Sequence, residues 1–181
     1  MKAAVFLDRD GVLNASVIRG GKPYPPRNLD ELRITADAPQ CLKRLREEGF
    51  LLIVVTNQPD VARGKQTREA VEQINAALRA AMPIDAIYVC YHDNADACTC
   101  RKPAPGMLLD AAKRFEIDLA GSFLIGDRRG DVEAGRRAGC RTVFLDFGYA
   151  EKRPEAPDFV ARGLAEGVEW ILFQETEVHA K

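Results

Sequence analysis

Asp8 and Asp10 stand two residues apart where the apolar run Ala3 to Leu7 ends. At a strand end that spacing lets both carboxylates point one way while Arg9 points elsewhere. Gly11 then permits a sharp exit of the chain. Thr56 closes a second apolar run, Arg101 and Lys102 follow a third, and Asp127 follows a fourth. The set has a cation-binding half and an anion-binding half. Converging carboxylates repel one another, and a hard cation relieves the repulsion. Magnesium suits such a place because it takes a few carboxylate oxygens, several waters and a phosphate. One carboxylate can act as a nucleophile toward phosphorus. A second can give a proton to a leaving alkoxide and later activate water. Thr56 and Lys102 can hold phosphoryl oxygens as charge develops. Any one of these acids alone reads as a helix cap or a solvated loop residue. The whole set, at successive strand ends, reads as a site.

A second constellation is Cys90, His92, Cys98 and Cys100, spelling C-x-H-x5-C-x-C. Four such ligands match tetrahedral zinc, although the one-residue spacers are shorter than usual. Spacing alone does not separate a zinc site from a group of loop thiols. Three of the five cysteines crowd together here, and Cys41 and Cys140 sit in apolar contexts. In a chain without a visible secretory signal, such a cluster points to metal before disulfides.

These residues need a frame, and the apolar pattern supplies one. Short continuous runs occur at Ala3 to Leu7, Phe50 to Val55, Ala86 to Val89, Phe123 to Ile125 and Thr142 to Leu145. Such runs predict strands buried on both faces, the pattern of a parallel sheet. Helical spacing lies between them. Ala38, Cys41, Leu42 and Leu45 form one helix, with Asp37 as N-cap and Gly49 as stop. Val71, Ile74 and Leu78 form another behind Thr67. Leu108, Leu109, Ala112 and Phe115 form a third. A fourth runs from Asp131 to Ala138 and stops at Gly139, and a fifth carries Leu164, Val168, Ile171 and Leu172. The alternation predicts an α/β fold, a doubly wound and mainly parallel sheet with helices on both faces. Ligands of that class bind beyond the carboxyl ends of the strands, where the acids fall. The irregular stretch from Asn14 to Asp37 is long for a compact domain, and such loops are usually functional. Only one helix fits between Val55 and Ala86, so no large cap domain is expected.

The chain has 181 residues and a net charge of -1, with 46% hydrophobic and 29% charged residues. That suits one domain over residues 1–181. The absence of a basic run gives no footprint for nucleic acid. No apolar stretch approaches the length of a membrane helix. The expectations are therefore a cytoplasmic monomer with a small-molecule partner.

The segments "FLDRDGVLN", "VVTNQ", "CRKP" and "IGDRRGD" resemble, in order, the four motifs of the haloacid dehalogenase (HAD) superfamily of phosphatases. The resemblance runs from Ala3 to about Phe173. It implies a Rossmann-like core and phosphate-ester hydrolysis through a phospho-aspartate. It also implies that Asp8 is the nucleophile and Asp10 the general acid/base, with Thr56 and Lys102 binding phosphate. Magnesium would be held by Asp8, the backbone carbonyl of Asp10, and Asp127, with Asp131 supporting them. The same resemblance favours zinc at the cysteine cluster, in a structural role that pins the loop carrying Arg101 and Lys102.

Within the superfamily, "YVCYHDNADACTCRKPAPGM" resembles two groups, the D-glycero-D-manno-heptose 1,7-bisphosphate 7-phosphatases and the histidinol-phosphate phosphatases. "TNQPDVARGK" resembles the heptose group more, although Pro59-Asp60 departs from its pattern. The stretch from Ala15 to Arg27 departs further, so no specificity residue is carried over there. Asn57, Gln58, Arg63, Arg101 and Arg128 are the candidate substrate contacts. Arg128 stands where the family usually has lysine. A phospho-acceptor signalling domain shares an α/β fold with Asp, Thr and Lys, but its acid pair and phospho-acceptor lie on different strands. A zinc-stabilised binding module without catalysis would lack a catalytic acid, and none is missing.

Overall fold

The computed structural model describes residues 2–179. Six parallel strands form one sheet in the order β5-β4-β1-β6-β7-β8. They are β1 (Ala4–Leu7), β4 (Leu51–Asn57), β5 (Ala86–Cys90), β6 (Phe123–Gly126), β7 (Arg141–Leu145) and β8 (Phe159–Ala161). A separate antiparallel hairpin joins β2 (Val17–Arg19) to β3 (Lys22–Tyr24). The helices are α1 (Ala38–Glu47), α2 (Arg68–Ala81), α3 (Gly106–Phe115), α4 (Arg129–Ala138) and α5 (Leu164–His179). No helix among the described residues is long and apolar enough to cross a membrane.

Strand side chains alternate between two cores, as the twofold period of a strand requires. Val5, Leu7, Leu52, Val54, Phe123 and Ile125 face α1, α2 and α5. Ala4, Phe6, Ile53, Val55 and Leu124 face α3 and α4. This two-sided burial is why the strands read as continuous apolar runs. It also sets β1 at the middle of the sheet, between β4 and β6, so that the exits of these three strands adjoin.

Five strands and five helices fall where the sequence places them. β8 was not expected: it has three residues, and its middle side chain is exposed. The irregular stretch after Asn14 contains the β2–β3 hairpin, whose side chains are largely exposed. Its signal was Gly20-Gly21 between two short runs, a two-residue hairpin turn. Thr67 caps α2 as expected, accepting from Ala70 N at 3.1 Å. Asp37 does not cap α1 with its side chain. Its carboxylate instead accepts from Ala165 N at the start of α5, at 3.3 Å.

Phe123 locks the first core. It is fully buried, and its ring meets Phe50 and Trp170 edge-on, each at 5.9 Å between centroids. Phe123→Ala is expected to cost about 3–5 kcal/mol, the usual range for a buried aromatic. The measurement is the shift of the urea unfolding midpoint.

Candidate functional site

The exits of β1, β4 and β6, with the loop after β5, converge on one cavity of about 340 Å³. Asp8 follows β1 directly, and its amide donates to Ile125 O of β6 at 2.9 Å. Carboxylate oxygens of Asp8, Asp127 and Asp131 lie within 4.8 Å of one another. All three residues are buried.

Glycine permits this crowding at two points. Gly11 has φ +91, and a Cβ there would stand 1.9 Å from Asp127 Oδ2. At Gly126 a Cβ would stand 2.2 Å from Asp131 Cβ. No other residue lets the chain leave β1 and β6 so close to two carboxylates.

Among the described residues, one buried ammonium pairs with two of these acids. The Lys102 ammonium donates to Asp8 Oδ1 at 2.8 Å and to Val55 O at 2.7 Å, and it contacts Asp131 Oδ1 at 2.5 Å. Burial alone would lower the Lys102 pKa, but Asp131 and Asp8 outweigh it and hold the ammonium charged. The balance is different for the acids. Burial first, then repulsion from Asp131, raises Asp8 to about 6 against the pull of Lys102. Burial, then Asp8 and Asp131, also raises Asp127 well above the usual carboxylate range. Neither Asp127 oxygen has a hydrogen bond of normal geometry, though the nearby Tyr149 hydroxyl eases its charge somewhat. Buried and poorly partnered carboxylate oxygens, in a group of three, form a donor set that fits a hard cation such as magnesium.

Asp10 is held differently. Its carboxylate accepts from Asn14 Nδ2 at 3.0 Å and from Gln58 Nε2 at 2.7 Å. Gln58 also reaches Thr56 Oγ1 at 2.9 Å, so it links two expected site residues. Arg9 does lie away from the cavity, fully buried, but its guanidinium folds back onto Asp10 with contacts at 3.1 and 3.2 Å. Its other arm donates to Asn75 Oδ1 on α2 at 3.0 Å. Sequence reading found neither Arg9 nor Asn75 nor Asn14 as part of the site, because each acts only through Asp10.

Asn57 pairs with the Lys102 backbone in both directions, its Nδ2 donating to Lys102 O at 3.0 Å and its Oδ1 accepting from Lys102 N at 3.1 Å. It therefore steers the lysine as well as lining the cavity. The three candidate arginines also line the cavity. Each already has partners: Arg63 bonds Asp93 and Asp60, Arg101 bonds Asn94 Oδ1 and His92 O, and Arg128 bonds Glu151. The cavity wall further includes Ser16, Lys22, Tyr24 and Glu151, which the motifs did not reveal.

The four cysteine-cluster residues come together at the loop after β5. Cys100 Sγ lies 3.1 Å from Cys90 Sγ, 3.5 Å from Cys98 Sγ and 3.3 Å from His92 Nδ1. Cys90 Sγ lies 3.7 Å from Cys98 Sγ and 3.6 Å from His92 Nδ1. A zinc tetrahedron with bonds of about 2.3 Å has edges near 3.8 Å; these spacings are somewhat shorter, and the four side chains are gathered as the ligands of such an ion would be.

Comparison with known proteins places this geometry among relatives. Residues 99–167 match the family described as HAD-hydrolase-like. The chain is 33% identical to the D-glycero-D-manno-heptose-1,7-bisphosphate 7-phosphatase of Thermosynechococcus vestitus, covering 94% of this chain and 95% of that one. It is 34% identical to the Escherichia coli enzyme of the corresponding name, covering 90% of each. Among solved structures it is similar to D,D-heptose 1,7-bisphosphate phosphatase from Bordetella bronchiseptica, complexed with magnesium and phosphate. That match has a TM-score of 0.77 at 31% identity, over 96% of this chain and 99% of that one.

The crowding of acids gives a direct test. Asp127→Asn removes one buried charge that has little local compensation. In a chelator, without divalent cations, this variant is expected to melt about 2–4 °C higher than the parent, a gain of about 1 kcal/mol. Calorimetry at neutral pH checks it, and added magnesium should stabilise the parent more than the variant.

Proposed function

The chain belongs to the HAD-like phosphatases, in the family of the D-glycero-D-manno-heptose-1,7-bisphosphate 7-phosphatases, and on that premise we propose that it removes the 7-phosphate of D-glycero-D-manno-heptose 1,7-bisphosphate. The observation that carries the chemistry is the buried triad of Asp8, Asp127 and Asp131 around a single lysine. A magnesium ion held by Asp8, the Asp10 backbone carbonyl and Asp127 would offset the carboxylate charge and polarise a phosphoryl oxygen.

The residues divide the work as follows. Lys102 occupies Asp8 Oδ1 and leaves Oδ2 to attack phosphorus. The new O–P bond forms as the P–O bond to the sugar breaks, giving an aspartyl phosphate and a sugar alkoxide. Asp10 protonates the alkoxide. It then takes a proton from water, whose oxygen attacks phosphorus, frees inorganic phosphate and restores Asp8. Arg9, Asn14 and Gln58 fix the Asp10 carboxylate for both transfers. Thr56, with Lys102, holds the transferring oxygens. The Cys90, His92, Cys98 and Cys100 cluster binds one structural zinc, which secures the loop that delivers Arg101 and Lys102.

Phosphate release should require magnesium. Asp8→Asn should abolish it, and Asp10→Asn should slow it by roughly 10²-fold or more. In the same assay kcat/KM should be higher for the heptose bisphosphate than for histidinol phosphate. Turnover by Asp8→Asn would exclude the phospho-aspartate route, and a preference for histidinol phosphate would exclude the heptose reading.

Elemental analysis should find one zinc per chain. A Cys98→Ser/Cys100→Ser variant should lose the metal and much of the activity while keeping most of its circular dichroism, since the loop lies outside the sheet. Zinc retained at full occupancy in that variant would refute the assignment.

A further inference from the structure

Five cations line the cavity: Lys22, Arg63, Arg101, Lys102 and Arg128. Lys102 is committed to Asp8 and Asp131. Arg63 is cancelled by Asp93 and Asp60, and Arg128 by Glu151. A phosphate that took Arg128 would leave the Glu151 carboxylate facing the same anion. Arg101 keeps its charge, but it is tied to Asn94 and the His92 carbonyl, beside Lys102 and on the β5 side of the cavity. The Lys22 ammonium makes no ion pair or hydrogen bond among the described residues, and the residue is exposed.

Lys22 also enters from a different wall. It opens β3 of the hairpin, and the hairpin turn is joined to the loop after β7 by Ala150 N donating to Gly21 O at 3.1 Å. Further along, Gln66 Nε2 donates to the carbonyls of Pro26 and Arg27 at 3.0 and 2.9 Å. The wall is thus pinned on both sides of the sheet centre, and Lys22 and Tyr24 both line the cavity. Successive even positions of a strand share a face, so these two side chains act together. A lysine on a four-carbon stem is a movable point charge suited to a phosphate with no fixed approach.

We propose that Lys22 receives the phosphate that is not hydrolysed, and so selects sugar bisphosphates over monophosphates. This rests on the bisphosphate reading above. The two phosphates of the substrate then meet different cations. The transferring one meets Lys102 in the buried centre, and the retained one meets Lys22 at the hairpin. Binding energy at the retained phosphate orients the reacting one.

The test compares kcat/KM for heptose 1,7-bisphosphate and heptose 7-phosphate in the parent, Lys22→Ala and Lys22→Arg. Lys22→Ala should lower the bisphosphate-to-monophosphate preference by about 10- to 100-fold, the value of one charge-assisted contact. Lys22→Arg should recover most of it. If the parent prefers the bisphosphate and Lys22→Ala keeps that preference, the Lys22 assignment alone is overturned. Equal loss on both substrates overturns it too, because the lysine then serves the sugar or the wall. If the parent shows no preference for the bisphosphate, the substrate reading and the Lys22 role fall together.

Discussion

Three carboxylates and one ammonium share the buried end of the central strands, and much of the surrounding structure follows from that imbalance. Two unit charges about 4–5 Å apart repel by about 3–4 kcal/mol at an effective dielectric of about 20. Asp8, Asp127 and Asp131 make three such pairs, and Lys102 can cancel only one charge. Burial first, and then that repulsion, raises the pKa values of Asp8 and Asp127. The fold tolerates the cost because the sheet beneath is apolar on both faces. A divalent cation and a phosphoryl group would turn a destabilising cluster into a working one, the trade often seen where sites are built against local stability.

Because so much depends on Lys102, the chain invests in placing it. Its backbone is paired by Asn57 from β4, its ammonium is aimed by Val55 O, and the loop before it gathers three cysteines and a histidine. Asp10 receives similar attention from a different direction. Arg9 reaches it from below, Asn75 of α2 braces Arg9, and Gln58 connects it to Thr56. Asp8 and Asp10, the proposed nucleophile and acid/base, are thus steadied by different partners.

The outer cavity follows another rule. There the arginines are paired with acids or neutral acceptors that hold them in place, and an exposed hairpin supplies the wall. Paired arginines give shape and hydrogen bonds without a large net field. Arg101 keeps its charge but is held by neutral acceptors, and Lys22 on the hairpin is, among the described residues lining the cavity, the cation with neither ion pair nor hydrogen bond.

The sequence by itself determined the frame and the chemistry at its centre. Buried parallel strands must be continuously apolar, so β1, β4, β5, β6 and β7 were legible, and Asp8, Thr56 and Asp127 stood at their ends for the same reason. The cysteine cluster was legible because its ligands lie within eleven residues of one another. Other features had little local signal, the hairpin only its Gly20-Gly21 turn. Arg9 alternates away from Asp10 along the strand, and only the packing of α2 turns its guanidinium back. Asp37 sits before one helix and caps another, 128 residues on. The hairpin and β8 are short and exposed, so no apolar run betrays them. Which arginines are neutralised, and that Lys22 is not, depends on pairings such as Arg63 with Asp93 and Arg128 with Glu151. Local propensity and burial patterns are written along the chain. Charge compensation is decided only when distant loops meet, because it depends on distances in space that no spacing in sequence encodes.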